Sequence, residues 1–250
     1  MKAMIFAAGL GTRLRPLTDH CPKALIEVGG EPMLGRVLRR AIEAGVTEAV
    51  VNVHHLPQMI MDYLAANDNF GITIHISRED NLLLDTGGGL LAARRWLDGD
   101  EDILVHNADI FTDVDIRAIS EHHRITGSCA TLLAWKRTSS RALLVDRKGY
   151  MHGWTNLATG QVLPVSLEAS ADQYDKVAFG GIHILSPRIF APLEQYAAEH
   201  GTVFSIMPFY ISACPTVPVS IFTPSSPFEW ADIGKINTLE NLRNKYPSHN

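Results

Sequence analysis

The chain has 250 residues, of which 46% are hydrophobic, and it carries a net charge of −5 with a pI of about 6.1. This balance gives no global positive field, so we expect neither nucleic acid nor a membrane as a partner. No apolar run approaches the roughly 18 residues that a membrane span needs. Three scattered cysteines, Cys21, Cys129 and Cys214, favour a cytoplasmic protein over a disulfide framework.

Hydrophobic periodicity predicts alternating strands and helices in the first half of the chain. A buried strand over 2–7 leads into a glycine-containing loop, and apolar residues then recur at helical spacing from 33 to 42. Three further strands, with two helices between them, follow at 47–53, 71–77 and 101–107, and the helices at 57–67 and 86–97. This order predicts an α/β, Rossmann-like doubly wound fold with a mostly parallel sheet.

The pattern changes after a helix predicted at 115–127. Strand-like segments joined by turns follow at 128–135, 142–154 and 176–185, which predicts antiparallel strands mixed into the sheet. A helix, a strand and a closing helix complete the chain at 186–201, 216–222 and 235–246. Because no repeat, low-complexity tract or linker divides it, we predict one domain over residues 1–250.

The loop after the first strand reads AAGLGTRLRPLTDHCPKAL, residues 7–25, and it contains three cations, Arg13, Arg15 and Lys23. Two glycines after a strand are typical of a dinucleotide loop, but GxGxxG needs a third glycine where this chain has Leu14. The two prolines prevent a long helix directly after the strand, and a Gly-Lys-Ser/Thr sequence is absent. We therefore expect a glycine turn whose backbone N–H groups and cations face a phosphate chain.

This loop resembles the signature GxGxRxxPxTxxxPK of sugar-1-phosphate nucleotidyltransferases, and the resemblance extends from residue 1 to about residue 242. Such enzymes join a nucleoside triphosphate to a sugar 1-phosphate and release pyrophosphate. The resemblance implies that Arg13 and Lys23 are catalytic, holding the triphosphate while the sugar phosphate attacks the α-phosphorus. It assigns four further loop residues to nucleotide binding: Ala8, Gly9, Gly11 and Thr12.

Two aspartates lie where a divalent cation is needed to balance the charge of the phosphates. Asp109 ends a strand in the segment NAD, which resembles the family's NGD, and Asp232 lies in WADIG, which resembles its W-x-D-x-G. The resemblance implies that the two carboxylates bind a catalytic Mg²⁺ together. Each residue also has a simpler interpretation, a turn at Asp109 and a helix cap at Asp232.

The segment DTGGG, residues 85–89, opens a predicted helix. Glycine in a helix costs roughly 1 kcal/mol relative to alanine, so three of them favour close approach of a ligand to the backbone. A helix cap by the aspartate or threonine is the alternative. The resemblance assigns this segment to the nucleobase and predicts contacts from Asp85, Thr86, Gly87 and Gly88.

The sugar end departs from the family pattern. Many relatives carry Glu-Lys-Pro, whose lysine meets the sugar phosphate, whereas no lysine and proline follow Glu168 here. Phe179 replaces an asparagine of the family in the strand over 176–185. We expect Gly181 to lie beside the sugar, with Asn156 and Glu168 as further candidates.

In these departures and in its short length, the chain resembles a compact subgroup of the family. It includes uridylyltransferases for N-acetylmuramate 1-phosphate in cell-wall recycling and guanylyltransferases for heptose or mannose 1-phosphate. We expect uridylyl transfer from UTP to N-acetylmuramate 1-phosphate or a similar sugar phosphate, with guanylyl transfer from GTP as the alternative. A non-catalytic regulator that binds NDP-sugars would be expected to lack Arg13, Lys23, Asp109 or Asp232, and all four are present.

Overall fold

The computed structural model describes residues 1–248, and a ten-stranded mixed sheet runs through them. In chain order the strands are β1 (Lys2–Phe6), β2 (Glu27–Val28), β3 (Glu31–Pro32), β4 (Glu48–Val53), β5 (Thr73–Arg78), β6 (Ile103–Asn107), β7 (Ile110–Thr112), β8 (Ala130–Trp135), β9 (Arg141–Val145), β10 (Met151–Asn156), β11 (Val162–Leu163), β12 (Asp175–Leu185), β13 (Val219–Phe222) and β14 (Trp230–Asp232). The helices are α1 (Met33–Glu43), α2 (Pro57–Ala66), α3 (Asp85–Ala92), α4 (Arg94–Leu97), α5 (Ile116–Thr126), α6 (Phe190–His200), α7 (Ile206–Ala213) and α8 (Ile236–Lys245).

The first half of the sheet is parallel, in the order β6-β1-β4-β5. Phe6, the last residue of β1, pairs with Asn52 on one side and with Asn107 on the other, so three strands end at the same edge. Helices connect these strands on both faces of the sheet, because parallel neighbours need a crossover connection. The predicted doubly wound, Rossmann-like arrangement is confirmed.

The second half of the sheet is mostly antiparallel. The long strand β12 pairs with β6, β8 and β9, and β9 continues through β10 to β11. The prediction that antiparallel strands mix into the sheet is therefore confirmed. Helix α7, with the sequence IMPFYISA, was not predicted, because a nearly all-apolar run of eight residues carries no amphipathic period.

The core lies on both faces of the sheet. Alternation along β1 directs Met4 to the face covered by α3, α4, α6 and α7, and Ala3 and Ile5 to the face covered by α1, α2 and α5. All three side chains are fully buried. Among the described residues, none of the helices combines the length and apolar character that a bilayer crossing requires.

A small two-stranded sheet joins a late segment of the chain to its middle. Strand β14 pairs antiparallel with β7, so that Asp232 lies opposite Ile110. A third buried cluster, which includes Leu14, Ile233 and Leu239, packs the loop after β1 against α8 and against the turn that precedes it. These contacts position residues 230–234 beside the loop after β1.

Candidate active site

A cavity of about 490 Å³ opens at the carboxyl ends of β1, β4 and β6. Open α/β sheets bind ligands at this edge, and the volume lies in the usual range for a small-molecule site. Its lining residues are Phe6, Ala7, Ala8, Gly9, Gly11, Arg13, Lys23, Ala24, Asn52, Glu79, Leu83, Asp85, Thr86, Asn107, Ala108, Asp109, Val203 and Gly234.

The loop after β1 is folded back on itself in three short 3-10 turns, at Thr12–Leu14, Leu17–Asp19 and Lys23–Leu25. Gly11 adopts a left-handed conformation with φ of 64°, and the hydroxyl of Thr18 donates to its carbonyl oxygen at 2.9 Å. A Cβ at Gly11 would lie 2.6 Å from Cγ2 of Thr18. The loop is therefore compact, and its second half returns to the first.

The backbone of this loop presents donors to the cavity. Asn52 accepts from the N–H of Ala7 at 2.8 Å. Within residues 1–248, the next N–H groups, those of residues 8–12, donate to no protein acceptor. Ala8, Gly9 and Gly11 line the cavity, whereas Thr12 is exposed outside it. Successive backbone N–H groups that lack a protein acceptor, beside a glycine turn, are suited to bind an anion.

Lys23 lies between the two aspartates that the sequence singled out. Its Nζ contacts a carboxylate oxygen of Asp109 and lies 3.9 Å from Oδ1 of Asp232. The lysine is 9% exposed, and the side chains of Asp109 and Asp232 are 25% and 42% exposed. The pairing of β14 with β7 explains the arrangement, because it places Asp232 beside the turn that carries Asp109.

Gly234 lies at the point where these groups meet. A Cβ built there would be 2.7 Å from Nη2 of Arg13, 2.7 Å from Oδ1 of Asp232 and 3.0 Å from Nζ of Lys23. Its N–H also donates to Asp232 at 2.7 Å. Two of the three cations of the loop, Arg13 and Lys23, and the late Asp232 are therefore brought together around a residue that has no side chain.

The donor set fits a divalent cation that is shared with a substrate. Within the described residues, no group of three or more His, Cys, Asp or Glu side chains is arranged to hold a metal alone. Mg²⁺ commonly takes one or two carboxylates from the protein and completes its shell with waters and phosphate oxygens. Asp109 and Asp232 supply such a pair, and in this structure the ammonium of Lys23 balances their charge.

Two of the three glycines of α3, Gly87 and Gly88, are explained by packing. The N–H groups of Gly87 and Gly88 both donate to the carbonyl of Phe204, at 2.9 and 3.2 Å. A Cβ on Gly87 would overlap the Phe204 ring, and one on Gly88 would overlap the carbonyl oxygen of Thr202. Both glycines are buried, and neither is among the residues that line the cavity. A nucleobase contact through them stays a prediction.

The two residues before these glycines do line the cavity. Asp85 has a left-handed conformation with φ of 60°, and its carboxylate accepts from the N–H of Thr86 at 2.6 Å. The hydroxyl of Thr86 accepts from the N–H of Ile206 at 2.9 Å, at the start of α7. The threonine thus caps a neighbouring helix, while the aspartate faces the cavity.

Sequence reasoning missed a buried pair at the floor of the cavity. Nδ2 of Asn52 donates to Glu79 at 2.7 Å, and the other carboxylate oxygen of Glu79 accepts from the N–H of Leu84 at 2.9 Å. Both side chains belong to residues that are 3% exposed. The available signal was an asparagine inside the apolar strand AVVNV, because a buried polar group requires a partner.

The three predicted sugar-binding residues are not brought together. Gly181 is buried with φ of 76°, and a Cβ there would lie 3.1 Å from Nδ2 of Asn107, a cavity residue. Asn156 accepts from the N–H groups of Ala158 and Thr159, and so stabilises a turn. Glu168 is exposed in a 3-10 segment. Their sugar contacts stay predictions.

Two buried histidines lie behind the cavity. Nδ1 of His106 donates to the carbonyl of Asn107 at 2.8 Å, and burial lowers the pKa of His106 to about 4. Nδ1 of His183 lies 2.7 Å from the hydroxyl of Tyr210, and burial lowers the pKa of His183 to about 3, with a smaller contribution from His106. His54 and His55 contact backbone carbonyls of Glu79 and Thr18, and so hold the cavity's two loops.

Comparison with known sequences identifies relatives of the chain. Residues 2–152 match the family model described as "Nucleotidyl transferase". An N-acetylmuramate alpha-1-phosphate uridylyltransferase of Neisseria meningitidis is 45% identical over 118 residues, which are 47% of this chain and 51% of that protein. A UTP–glucose-1-phosphate uridylyltransferase of Synechocystis is 30% identical over 257 residues, covering 94% of this chain and 61% of that protein.

A mannose-1-phosphate guanyltransferase of Debaryomyces hansenii is 35% identical over 137 residues, which are 54% of this chain and 38% of that protein. The chain therefore spans less than two thirds of the length of each of these three relatives.

Solved structures share the fold. A UTP-bound UGPase of Acinetobacter baumannii superposes with a TM-score of 0.78 at 17% identity, covering 98% of this chain and 92% of that chain. HddC of Yersinia pseudotuberculosis complexed with GMP-PN superposes with a TM-score of 0.72 at 19% identity, covering 98% and 99%. At these identities the likeness concerns the fold, a nucleotidyltransferase type of mixed sheet.

Proposed function

The chain belongs to the nucleotidyl transferase family, and on that premise we propose that it is a sugar-1-phosphate nucleotidyltransferase. In the proposed reaction, a nucleoside triphosphate and a sugar 1-phosphate give an NDP-sugar and pyrophosphate. The observation that carries the proposal is the meeting of Arg13, Lys23, Asp109 and Asp232 around Gly234. Two cations and two carboxylates at one end of a nucleotide-sized cavity are what transfer between phosphates needs.

In this proposal the residues act by positioning and charge. Unpaired N–H groups of the glycine turn hold the β- and γ-phosphates, and Arg13 grips two phosphate oxygens at once. Lys23 donates to an oxygen of the α-phosphate, where negative charge develops. The sugar phosphate oxygen bonds to the α-phosphorus as the bond to the β-phosphate oxygen breaks. Pyrophosphate leaves with that electron pair, so no side-chain nucleophile is needed.

Asp109 and Asp232 are the residues that would hold Mg²⁺. When bound, the ion supplies neutralisation of the phosphate oxygens. We expect chelation of divalent cations to abolish turnover and added Mg²⁺ to restore it. Asp109→Asn and Asp232→Asn should each lower turnover and weaken Mg²⁺ binding, which can be followed by titrating Mg²⁺ against initial rate.

The substrates we propose are UTP and N-acetylmuramate 1-phosphate. Support comes from the Neisseria relative and from a Caulobacter vibrioides uridylyltransferase of the same name, which is 44% identical over 109 residues. Guanylyl transfer to a mannose or heptose 1-phosphate is the second candidate, favoured by the guanyltransferase relatives. We propose the cytoplasm as the compartment, supported by three cysteines that are all free, and cell-wall sugar metabolism as the setting.

A pyrophosphate-release assay tests the proposal. UTP, GTP, dTTP, CTP and ATP are each combined with N-acetylmuramate, N-acetylglucosamine, glucose, mannose and heptose 1-phosphates at saturating Mg²⁺. We expect the highest kcat/KM for UTP with N-acetylmuramate 1-phosphate. Preference for GTP with mannose or heptose 1-phosphate selects the second candidate. No turnover with any pair, from protein that is folded by circular dichroism, overturns the enzymatic function and favours a regulator that only binds NDP-sugars.

A further inference from the structure

A second cavity, of about 240 Å³, lies on the antiparallel half of the sheet. None of its lining residues lines the first cavity. They come from the β8–β9 connection, β9, β10, β12 and α7, and they are Arg137, Ser139, Arg141, Ala142, Leu143, Trp154, Phe179 and Met207. The set contains two arginines and no acidic residue, so the cavity lining has a net positive charge.

Arg137 is held in place with part of its guanidinium group unsatisfied. Its Nη2 donates to the carbonyl of Phe179 at 2.8 Å, and its Cζ lies 4.3 Å from the centre of the Trp230 ring. Its Nε is buried and has no hydrogen-bond partner among the described residues. Burial lowers the pKa of Arg137, which shows the cost of placing this cation here, and the charge of Asp232 opposes that effect. A bound anion would offset the cost.

Arg141 is the first residue of β9, where it pairs with Asn156 of β10. Its side chain is exposed and makes no ion pair with the described residues. The nearby acids on the flanking segments are engaged elsewhere, since Asp175 pairs with Lys136 and Asp172 pairs with Lys176. Neither arginine makes an ion pair with the described residues, and the charge of Asp232 acts on Arg137 from outside the cavity lining.

The rest of the cavity wall is largely apolar. Leu143 is almost fully buried, and Trp154, Phe179 and Met207 pack against the main core. Two guanidinium groups beside an apolar wall suit a carboxylate on a short aliphatic arm, because arginine grips both carboxylate oxygens while the arm covers the wall. A sugar hydroxyl alone would leave the positive charge unbalanced.

The second cavity is linked to the first through Trp230. This residue begins β14, which ends at Asp232, and its indole N–H donates to the carbonyl of Gly180 at 2.8 Å. Arg137 stacks on that same indole ring. Because the proposed reaction places the reacting phosphate by Lys23 and Asp109 in the first cavity, an anion in the second cavity would have to be a group other than that phosphate.

We propose that Arg137 and Arg141 form a subsite for a carboxylate carried by the sugar of the sugar 1-phosphate. The substrate class is then an acidic sugar 1-phosphate, and the two arginines determine specificity for it. This inference rests on the proposed function, because it assumes that the first cavity takes the nucleotide and the reacting phosphate.

The test compares two sugar phosphates that share a ring, an N-acetyl group and a 1-phosphate. N-acetylmuramate 1-phosphate carries a lactyl carboxylate, and N-acetylglucosamine 1-phosphate does not. Arg141→Gln should lower kcat/KM for the first at least tenfold, through KM, and change it less than twofold for the second. Arg137→Lys keeps the positive charge but loses the planar guanidinium group that can donate to both carboxylate oxygens. It should therefore reduce the preference for N-acetylmuramate 1-phosphate over N-acetylglucosamine 1-phosphate. Arg147→Gln, on the turn at the other end of β9, is the matched control and should change neither value.

The outcomes separate this inference from the function it rests on. An equal loss on both substrates means that the arginines bind the 1-phosphate, and it overturns the carboxylate subsite. So does an unchanged preference in the folded variants. If the wild-type protein turns over no sugar phosphate, the proposed function fails. Binding of UDP-N-acetylmuramate against UDP-N-acetylglucosamine, measured by calorimetry on wild type and Arg141→Gln, then still tests the subsite, and equal affinities overturn it.

Discussion

At the scale of single residues, Lys23 is the side chain that brings the two aspartates of the site together. Its ammonium group contacts Asp109 and lies 3.9 Å from Asp232, so two carboxylates share one buried cation. Arg13, by contrast, is exposed and reaches the same point from the rim. The lysine is therefore held by two protein carboxylates, whereas the arginine side chain is largely exposed to solvent.

Lys23→Ala should lower kcat/KM for the proposed reaction by about two to three orders of magnitude, as expected for the loss of one donor to a developing charge. The fold should persist, because the side chains of Asp109 and Asp232 are partly exposed and water can solvate them. The measurement is steady-state pyrophosphate release together with a melting curve. Arg15→Ala is the matched control, since Arg15 is in the same loop, exposed and paired with Asp19 at 3.2 Å. Near-normal turnover of the Lys23 variant would contradict its role.

Gly234→Ala should lower turnover strongly with little change in Tm. The new methyl group would meet the ends of Arg13, Lys23 and Asp232, which can shift aside without disturbing the core. Displacement of these side chains should disturb the geometry that the reaction requires, but it should leave the packing of the core unchanged. The variant's Tm and kcat are measured in parallel, and a Tm loss of many degrees with unchanged kcat per folded molecule would disprove this explanation.

The residues of the site that could be predicted are those that share one long motif or end a strand. Arg13, Lys23, Asp109 and Asp232 were identified in the sequence and they meet in the structure. Glu79 was not identified, since its role depends on pairing with Asn52 on a neighbouring strand. Periodicity predicts a strand but not which side chain of the next strand lies beside it.

At the scale of elements, the start of α3 shows how one missed helix changes the interpretation of another. The glycines of DTGGG predicted close approach of a ligand because glycine in a helix is costly relative to alanine. Their partner is the segment before α7, where Thr202 and Phe204 pack against Gly88 and Gly87. An apolar octapeptide with no amphipathic period concealed that element, so the packing explanation could not be reached from the sequence.

Gly88→Ala separates the two explanations. A methyl group there would overlap the backbone carbonyl of Thr202, and overpacking of this kind costs about 1–3 kcal/mol. For a chain of this size we expect Tm to fall by roughly 3–10 °C, with KM for the nucleotide changed little in the protein that remains folded. An unchanged Tm with a raised KM would instead support close approach of the nucleobase to this glycine.

At the scale of the whole molecule, the sequence predicted the order of strands and helices along the chain better than it predicted which strands pair. Alternating strands and helices predicted the parallel half, because a parallel connection requires a crossover. For the antiparallel half, the sequence predicted that antiparallel strands are present but not which strands pair. Strand β12 pairs with β9 over 175–177 and with β6 over 182–185, and its pairing with β8 has a register shift between Phe179 and His183. No local sequence pattern predicts these partners or the shift.

The two histidines in the middle of the sheet should make stability depend on pH. His106 and His183 have pKa values of about 4 and about 3 when folded, below the ordinary value of 6.5. Above pH 6.5 they are neutral in both states. Below it the unfolded chain takes up protons that the native protein does not, so the free energy of unfolding falls by about 1.4 kcal/mol per pH unit for each histidine until the native pKa is reached.

Urea unfolding at pH 7, 6, 5 and 4.5 measures this effect. Wild type should lose stability steadily below pH 6.5, and His183→Gln, whose amide can still bond the Tyr210 hydroxyl, should show a shallower slope. Carboxylates that titrate in the same range are common to both proteins and cancel in the comparison. Identical slopes would show that His183 does not contribute.

The pairing of β14 with β7 has a consequence for biosynthesis. Asp109 and Asp232 lie nearly half the chain apart, and one is adjacent to the other only after β14 has docked. A nascent polypeptide completes β1, β4, β5 and β6 on the ribosome well before the second carboxylate and Gly234 are translated. The centre that contains both carboxylates and Gly234 can therefore form only after β14 and the residues directly after it have been synthesised.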